Sequence, residues 1–254
     1  MKPSGISDAE WQARQDLAAC YRLIAHYRMT DIIYTHVSAR IPGEHEAILI
    51  NPYGMMFHEI RASDLVRVDL FGNPVQESDA PINRAGFFIH SAVHEARPDL
   101  ACVIHTHTTA GIAVAAQQAG LLMISQHAAR FHRRVSYHDY LGIADDDAER
   151  KRLARDLGDN VVMLLRNHGI LACGRSIPEA FIDMHYLERA CQAQVAAMAG
   201  GAPLHILSDE VAAQTARGFD RARERRKTAD GRTYTLEWAA LTRMLDQADT
   251  SWRD

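Results

Sequence analysis

No apolar run in the sequence approaches the roughly 18–20 residues that a membrane span requires. The opening, MKPSGISDAEWQ, has no apolar stretch of the kind a secretory signal carries. The expectation is a cytoplasmic protein with no membrane partner. Charge of one sign is missing too. Lys and Arg number 28 against 32 Asp and Glu, a net of -4, so no global field draws nucleic acid. Cysteine is sparse: Cys20, Cys102, Cys173 and Cys191, none spaced as CxxC and each in an apolar or helical stretch. That pattern predicts reduced packing thiols, not a disulfide framework. Gly and Pro, at 15 and 8 residues, rule out a collagen-like chain. What remains is ordinary globular material, 254 residues with 47% hydrophobic and 24% charged, long enough to bury a core without staples. Histidine is plentiful at 14, and most of it falls between His36 and His168.

Ser7-Asp8-Ala9-Glu10 is a capping box, and Trp11, Leu17, Tyr21 and Ile24 follow at helical spacing to about Met29. Strand-like runs come next at 36–41, 47–50 and 65–70, split by Pro42-Gly43, Asn51-Pro52 and Gly72-Asn73-Pro74. A helix is expected over 84–96, a buried strand over 101–105 and a helix over 108–118. Val135–Tyr137 reads as a short strand. Asp145, Asp146 and Asp147 open a helix to Leu157, acidic residues suiting a helix N-terminus. Val161–Leu165 is an apolar strand with Ile170–Ala172 as its partner, and Ser176-Ile177-Pro178-Glu179 starts a helix that ends at Gly200-Gly201. The basic run Arg221–Lys227 reads as a solvated or subunit-contacting face. The alternation predicts a mixed α/β domain with helices over a central sheet.

His105-Thr106-His107 closes the strand at 101–105. On a strand, residues two apart point the same way, so two imidazoles can chelate one ion. Asn167-His168-Gly169 follows a second apolar strand and offers a third imidazole, with a glycine that permits a tight turn. Three histidines and an open position suit catalytic zinc; iron(II), manganese or cobalt would also fit. A rival pair, His90 and His94, sits four residues apart on a helix, but HSAVHE carries no glutamate between them as HExxH would. That pair reads as helix packing.

The stretches TDIIYTHVSARIPG, LINPYGMMFHEI, NRAGFFIHSAVHEARPDLACVIHTHT and MLLRNHGILACG resemble the class II aldolase/adducin family over residues 8–200. The resemblance implies a three-layer αβα sandwich with a mostly antiparallel sheet. It implies a domain over 1–207, with a helical tail over 208–254 packing on that domain or on a neighbour. It also implies a homotetramer with active sites shared between subunits, and His105, His107 and His168 as the metal ligands. Where the family's sugar-phosphate aldolases carry a catalytic glutamate, this chain has Gly86; where they have a serine pair for phosphate, it has Arg84 and Ala85. The first phosphate loop becomes Thr35-His36-Val37-Ser38, and a second phosphate contact becomes Tyr53-Gly54.

The metal site is therefore kept, while the base and the phosphate cradle are not. Retro-aldol cleavage needs a base for the β-hydroxyl proton; loss of CO2 needs none, and both are helped by a metal acting as Lewis acid. The expectation is a metal-dependent carbon–carbon lyase on a small non-phosphorylated hydroxy- or oxo-carboxylic acid, a decarboxylase rather than an aldolase. Gly86 is expected to leave room for a larger substrate. Tyr137 is the expected proton donor, with Tyr140 as its rival, and His36 a second catalytic candidate. Arg84, Tyr53, Gly54 and Ser38 are the expected substrate contacts, with Asp139 orienting His138 or His36. Arg130-Phe131-His132-Arg133-Arg134 reads as a surface loop, a subunit contact or a lining of the entrance. The alternatives are an iron(II) oxygenase on the same scaffold and a non-enzymatic adducin-like assembly module.

Overall fold

The computed structural model describes residues 2–44, 46–75, 80–142, 147–229, 231 and 233–254. Seven strands form one sheet: β1 (His36–Arg40), β2 (Ala47–Ile50), β3 (Val66–Asp69), β4 (Cys102–Thr106), β5 (Val135–His138), β6 (Val162–Leu165) and β7 (Gly169–Gly174). Their order is β3-β2-β1-β4-β7-β6-β5. Neighbours are antiparallel except β5 and β6, which are parallel. The sheet is therefore mixed, and the exception follows from the connections. Three residues join β6 to β7 as a hairpin, whereas parallel strands need a crossover. The helix α5 (Asp147–Leu157) lies on that crossover. Of the three aspartates expected to open it, Asp145 and Asp146 lie outside the described residues.

The other helices are α1 (Asp8–His26), α2 (Arg84–Ala96), α3 (Thr109–Ala115), α4 (Gln126–Ala129), α6 (Ile177–Ala199), α7 (Asp209–Arg225) and α8 (Thr235–Ala248). Ser7, Asn83, Thr108, Ser125, Ser176 and Ser208 each accept a backbone N–H at a helix start. Such caps satisfy donors that the first turn leaves without partners.

Strand alternation splits the core into two layers. Cys102 and Ile104 of β4, with Val162, Leu164, Ile170 and Ala172, pack against Leu17 and Ile24 of α1 and Phe181 and Leu187 of α6. Val103, Met163, Leu165 and Leu171 point the other way, onto Ile89 and Val93 of α2 and Leu153 and Leu157 of α5. Each such aliphatic side chain contributes about 1.5–3 kcal/mol by leaving water. All four cysteines are free and buried within these layers. His105 shares the face of Val103, so the histidine pair emerges between α2 and α5.

The tail closes on the first layer. Trp252 is buried, the Trp238 indole N–H donates to Asp16 Oδ1 at 3.0 Å, and Arg22 pairs with Asp249 at 3.2 Å. The run 130–134 is part of this closure and lines no entrance to the histidine cleft. Buried Arg130 donates to Asp183 from Nε (3.0 Å) and Nη2 (2.8 Å), and also to the Tyr234 hydroxyl. Arg134 grips Asp220 of α7 with both Nη atoms (2.7 and 2.5 Å), and Arg133 reaches Asp209 at 3.1 Å. Among the described residues, no helix is long and apolar enough to cross a membrane.

Candidate metal centre

His105 ends β4, His107 lies just past it, and His168 sits in the β6–β7 hairpin. Their Nε2 atoms converge: 2.9 Å between His105 and His107, 2.9 Å between His107 and His168, and 3.3 Å between His105 and His168. Four-coordinate zinc, with Zn–N near 2.0–2.1 Å, holds its nitrogens about 3.3 Å apart. The protons settle the donor set. His105 Nδ1 faces the Ile170 carbonyl at 3.0 Å, and His107 Nδ1 faces Asp31 Oδ2 at 2.9 Å. Both partners are acceptors, so both Nδ1 atoms carry a hydrogen, and in the neutral rings both Nε2 atoms present lone pairs. Two lone pairs 2.9 Å apart repel, and a bound metal ion relieves that repulsion. Burial, and then the neighbouring histidines, hold the His105 imidazole well below its ordinary range; burial, then His107 and His138, take His168 down to about 4. Neutral imidazole is the metal-binding form. Among the described residues this is one group able to hold an ion.

The local sequence explains the convergence. A Cβ on Gly169 would lie 2.4 Å from the Thr106 carbonyl oxygen and 3.2 Å from the rings of both His105 and His107. Only glycine lets the hairpin lie this close to β4. Before it, Asn167 takes φ +55°, a conformation asparagine tolerates. On the other side, Ile32 and Thr35 hold φ of +51° and +69° in the loop that carries Asp31. For β-branched residues that is strain of about 1–3 kcal/mol each, stored where Asp31 must meet His107 and His36 must enter the cleft.

A family model, described as the class II aldolase and adducin N-terminal domain, matches residues 15–195. The chain belongs to the class II aldolase and adducin family. A Pseudomonas aeruginosa protein of the class 2 aldolase group is 49% identical over 98% of this chain and 94% of its own length. Alpha-adducin of Rattus norvegicus is 43% identical over 77% of this chain but only 27% of the adducin. An aldolase II superfamily protein from Pseudomonas syringae has a solved structure with a TM-score of 0.90, at 48% identity and 98% coverage of both chains. An L-fuculose 1-phosphate aldolase from Glaciozyma antarctica shares the fold at a TM-score of 0.80 and 23% identity, over 100% of this chain and 97% of that one.

The histidine triad stands in a cleft of about 600 Å³ between α2 and α5, lined also by His36, Tyr34, Tyr53, Tyr140, His138 and Glu149. Several expected contacts lie elsewhere. Ser38 is fully buried beneath α2, its Oγ 2.7 Å from His90 Nδ1 and 2.8 Å from His94 Nε2. Those two histidines thus pack α2 onto β1 and stand apart from the metal triad. Arg84 is exposed on the first turn of α2 and does not line the cleft. Gly54 turns the chain at φ +105° beside Tyr53, outside the lining. Tyr137 and His138 are adjacent on β5, so they face opposite ways. In this chain Tyr137 packs on the α1/α6 side, its hydroxyl accepting from Leu121 N at 3.1 Å and its ring 4.4 Å beneath the Arg166 guanidinium. His138 and Tyr140 face the cleft, Tyr140 with its ring 5.9 Å from that of His168. Asp139 is exposed; the carboxylates on His138 are Glu149 and Asp156, each at 2.8 Å.

Gly86 gives the clearest correction. It leaves no room for a substrate, because the His36 ring fills the space: a Cβ at 86 would lie 1.8 Å from His36 Cε1 and 2.0 Å from Nδ1. His36 is 4% exposed, stands edge-on to His90 with ring centroids 5.8 Å apart, and neither ring nitrogen has a partner among the described residues. Burial, and then His107, take its imidazole down to about 4. A neutral ring with a donor and an acceptor both unsatisfied therefore faces the cleft.

Proposed function

We propose that this chain is a divalent-metal-dependent carbon–carbon lyase acting on a small, non-phosphorylated hydroxy- or oxo-carboxylic acid, by decarboxylation rather than aldol cleavage. The observation that carries the reading is the pairing of a complete histidine triad with the His36–Gly86 contact. A carboxylate cannot stand on α2 where a retro-aldol base would, while loss of CO2 asks for no such base. A divalent ion, zinc in our reading, would be held by His105, His107 and His168 and would polarise the substrate's oxygens as a Lewis acid.

The chain's own residues do the rest. Asp31 and the Ile170 carbonyl fix two ligand imidazoles in the binding tautomer. His36 offers hydrogen bonds to the substrate from the cleft floor, and its nitrogens are satisfied only when a ligand is there. Tyr34, Tyr53 and Tyr140 supply aromatic walls to the cleft. Within one subunit our candidate for returning a proton to the product is Tyr140, whose ring lies 5.9 Å from that of His168. Tyr137, turned to the opposite face, serves as donor only across a subunit boundary, in a homotetramer with shared sites. Light scattering then reads about four times 28.4 kDa.

The similarity to alpha-adducin favours a second reading, a non-catalytic assembly module. One experiment separates the readings. Metal-reconstituted protein is incubated with a panel of hydroxy- and oxo-acids and sugar phosphates while CO2 release and O2 uptake are followed. CO2 release without O2 uptake supports decarboxylation. Cleavage of sugar phosphates alone returns the chain to the aldolases, and stoichiometric O2 uptake makes it an iron(II) oxygenase. Failure to retain any metal leaves the assembly module.

A further inference from the structure

Aromatic rings border the triad on two sides. Next to His168 the Tyr140 ring lies 5.9 Å away, centroid to centroid. On the other side, Asp31, which holds His107, pairs with Tyr34 across a single antiparallel bridge, and the Tyr34 ring lies 6.4 Å from that of Tyr53. Tyr34 and Tyr140 are 46% and 48% exposed. Ile32 and Leu141, more exposed still, each sit in the chain between residues that line the cleft. Large apolar side chains of this protein are mostly buried, so four exposed ones at one mouth form a patch of the kind that marks a ligand groove. Further in, Ile89 of α2, Ile112 of α3 and Leu153 of α5 line the same cleft.

The charged groups of the cleft are already engaged. Arg166, the lining cation among the described residues, donates to the Gln117 carbonyl at 2.6 Å and the Ala115 carbonyl at 3.4 Å, and its guanidinium covers the Tyr137 ring. Asp31 is bonded to His107, and Glu149 to His138 and Arg152. What remains to a ligand is an ion on the triad, uncharged polar groups led by the unpartnered His36 nitrogens and Thr35 Oγ1, and apolar surface. A second carboxylate or a phosphate would lose its hydration there without gaining a cation.

We infer that the acid bound at the triad carries a single carboxylate and, beyond its chelating end, an uncharged group of branched-aliphatic or aryl size seated between Tyr34 and Tyr140. The inference rests on the reading that the cleft takes a chelating acid, and it specifies the far end of that acid. The chelating atoms go to the ion, and the apolar group leaves water against the two rings.

The test uses cobalt(II)-loaded full-length protein, whose visible absorption reports ligand exchange at the ion. Lactate, 2-hydroxyisocaproate, phenyllactate and malate are titrated separately. The two acids with apolar tails should bind about tenfold or more tightly than lactate, the range for taking such a group out of water, and malate should bind more weakly than lactate. In the double variant Tyr34→Ala, Tyr140→Ala the preference for phenyllactate over lactate should fall to about twofold or less. The double variant Tyr34→Phe, Tyr140→Phe keeps the rings without the hydroxyls and should keep the preference. Both should retain cobalt and the wild-type mass in light scattering. The inference is overturned if the alanine variant keeps the preference. It is overturned equally if that variant loses cobalt, which makes the tyrosines supports of the triad, or changes mass, which makes the mouth a subunit contact. If malate binds best, the cleft still takes a chelating acid and this inference falls alone. If none of the acids perturbs the cobalt spectrum, the chelating-acid reading itself falls and this inference with it.

Discussion

Two clefts of nearly equal volume, about 600 Å³ between α2 and α5 and about 590 Å³ beneath α7, hold very different chemistry. In the cleft under α7, charge meets charge. Arg130 is bonded to Asp183, Arg134 to Asp220, and Glu179 to the Thr233 hydroxyl and the Arg175 amide. Its groups are largely spent on each other, and their product is a docked C-terminal tail. In the metal cleft, lone pairs face lone pairs, and His36 has no partner for either ring nitrogen. Size does not distinguish the two. Unfinished chemistry does, because a buried polar atom without a partner costs about 1–3 kcal/mol and is retained where a ligand completes it.

The contrast breaks first at His107. Its replacement by alanine should remove most of the bound metal, about one ion per subunit in the wild type by mass spectrometry, while the circular dichroism of the fold persists. If His90→Ala or His94→Ala empties the site instead, the triad is misassigned. In the α7 cleft the opposite outcome is expected. Arg130→Ala strands the buried Asp183 carboxylate and should lower unfolding free energy by about 3–5 kcal/mol, with metal content unchanged. Loss of metal there would erase the distinction between the clefts. Asp31→Ala should weaken metal affinity by about 10–100-fold, the usual effect of removing a group that orients a ligand, as read by chelator competition. An unchanged affinity would leave the Ile32 and Thr35 strain without a purpose.

Acid tests the packing of α2 rather than the metal. Burial, then the charge of Arg40, takes His94 to about 3. Burial, then His36 and His94, holds His90 well below its ordinary range. Unfolded, both take up a proton near pH 6.5; folded, both stay neutral far below that. Their stabilisation is therefore complete above about pH 6.5 and lost as pH falls towards 3, by up to about 1.4 kcal/mol per pH unit for each histidine. Urea unfolding of the metal-free protein between pH 7 and pH 4.5 should show at least that slope, and His94→Gln should reduce it. A flat wild-type profile would contradict the buried Ser38 pairing.

The parts of the molecule legible in the sequence are those whose signal is local. Helix starts were marked by Ser, Thr or Asn caps, and α2 falls on 84–96 as the spacing predicts. The triad was legible because each half is a short motif at a strand end, with Gly169 there for a steric reason. Long-range facts left no such trace. That His36 fills the space beside Gly86 joins residues fifty positions apart, and the partners of Arg130, Arg133 and Arg134 lie further on still. For Tyr137 phase decides which cleft it serves: on a strand a slip of one residue exchanges the faces, and within one subunit His138 holds the position facing the triad. Glu149 had no motif to mark it, since one acidic residue in a first helical turn reads as dipole matching.

The contact between His36 and Gly86 also constrains history. A side chain acquired at position 86 would displace the His36 ring, because the first added carbon would lie 1.8 Å from a ring atom already there. Nor could a carboxylate at 86 and His36 in its present place stand together. A side chain designed into position 86 therefore has to come with a displaced or smaller residue at position 36.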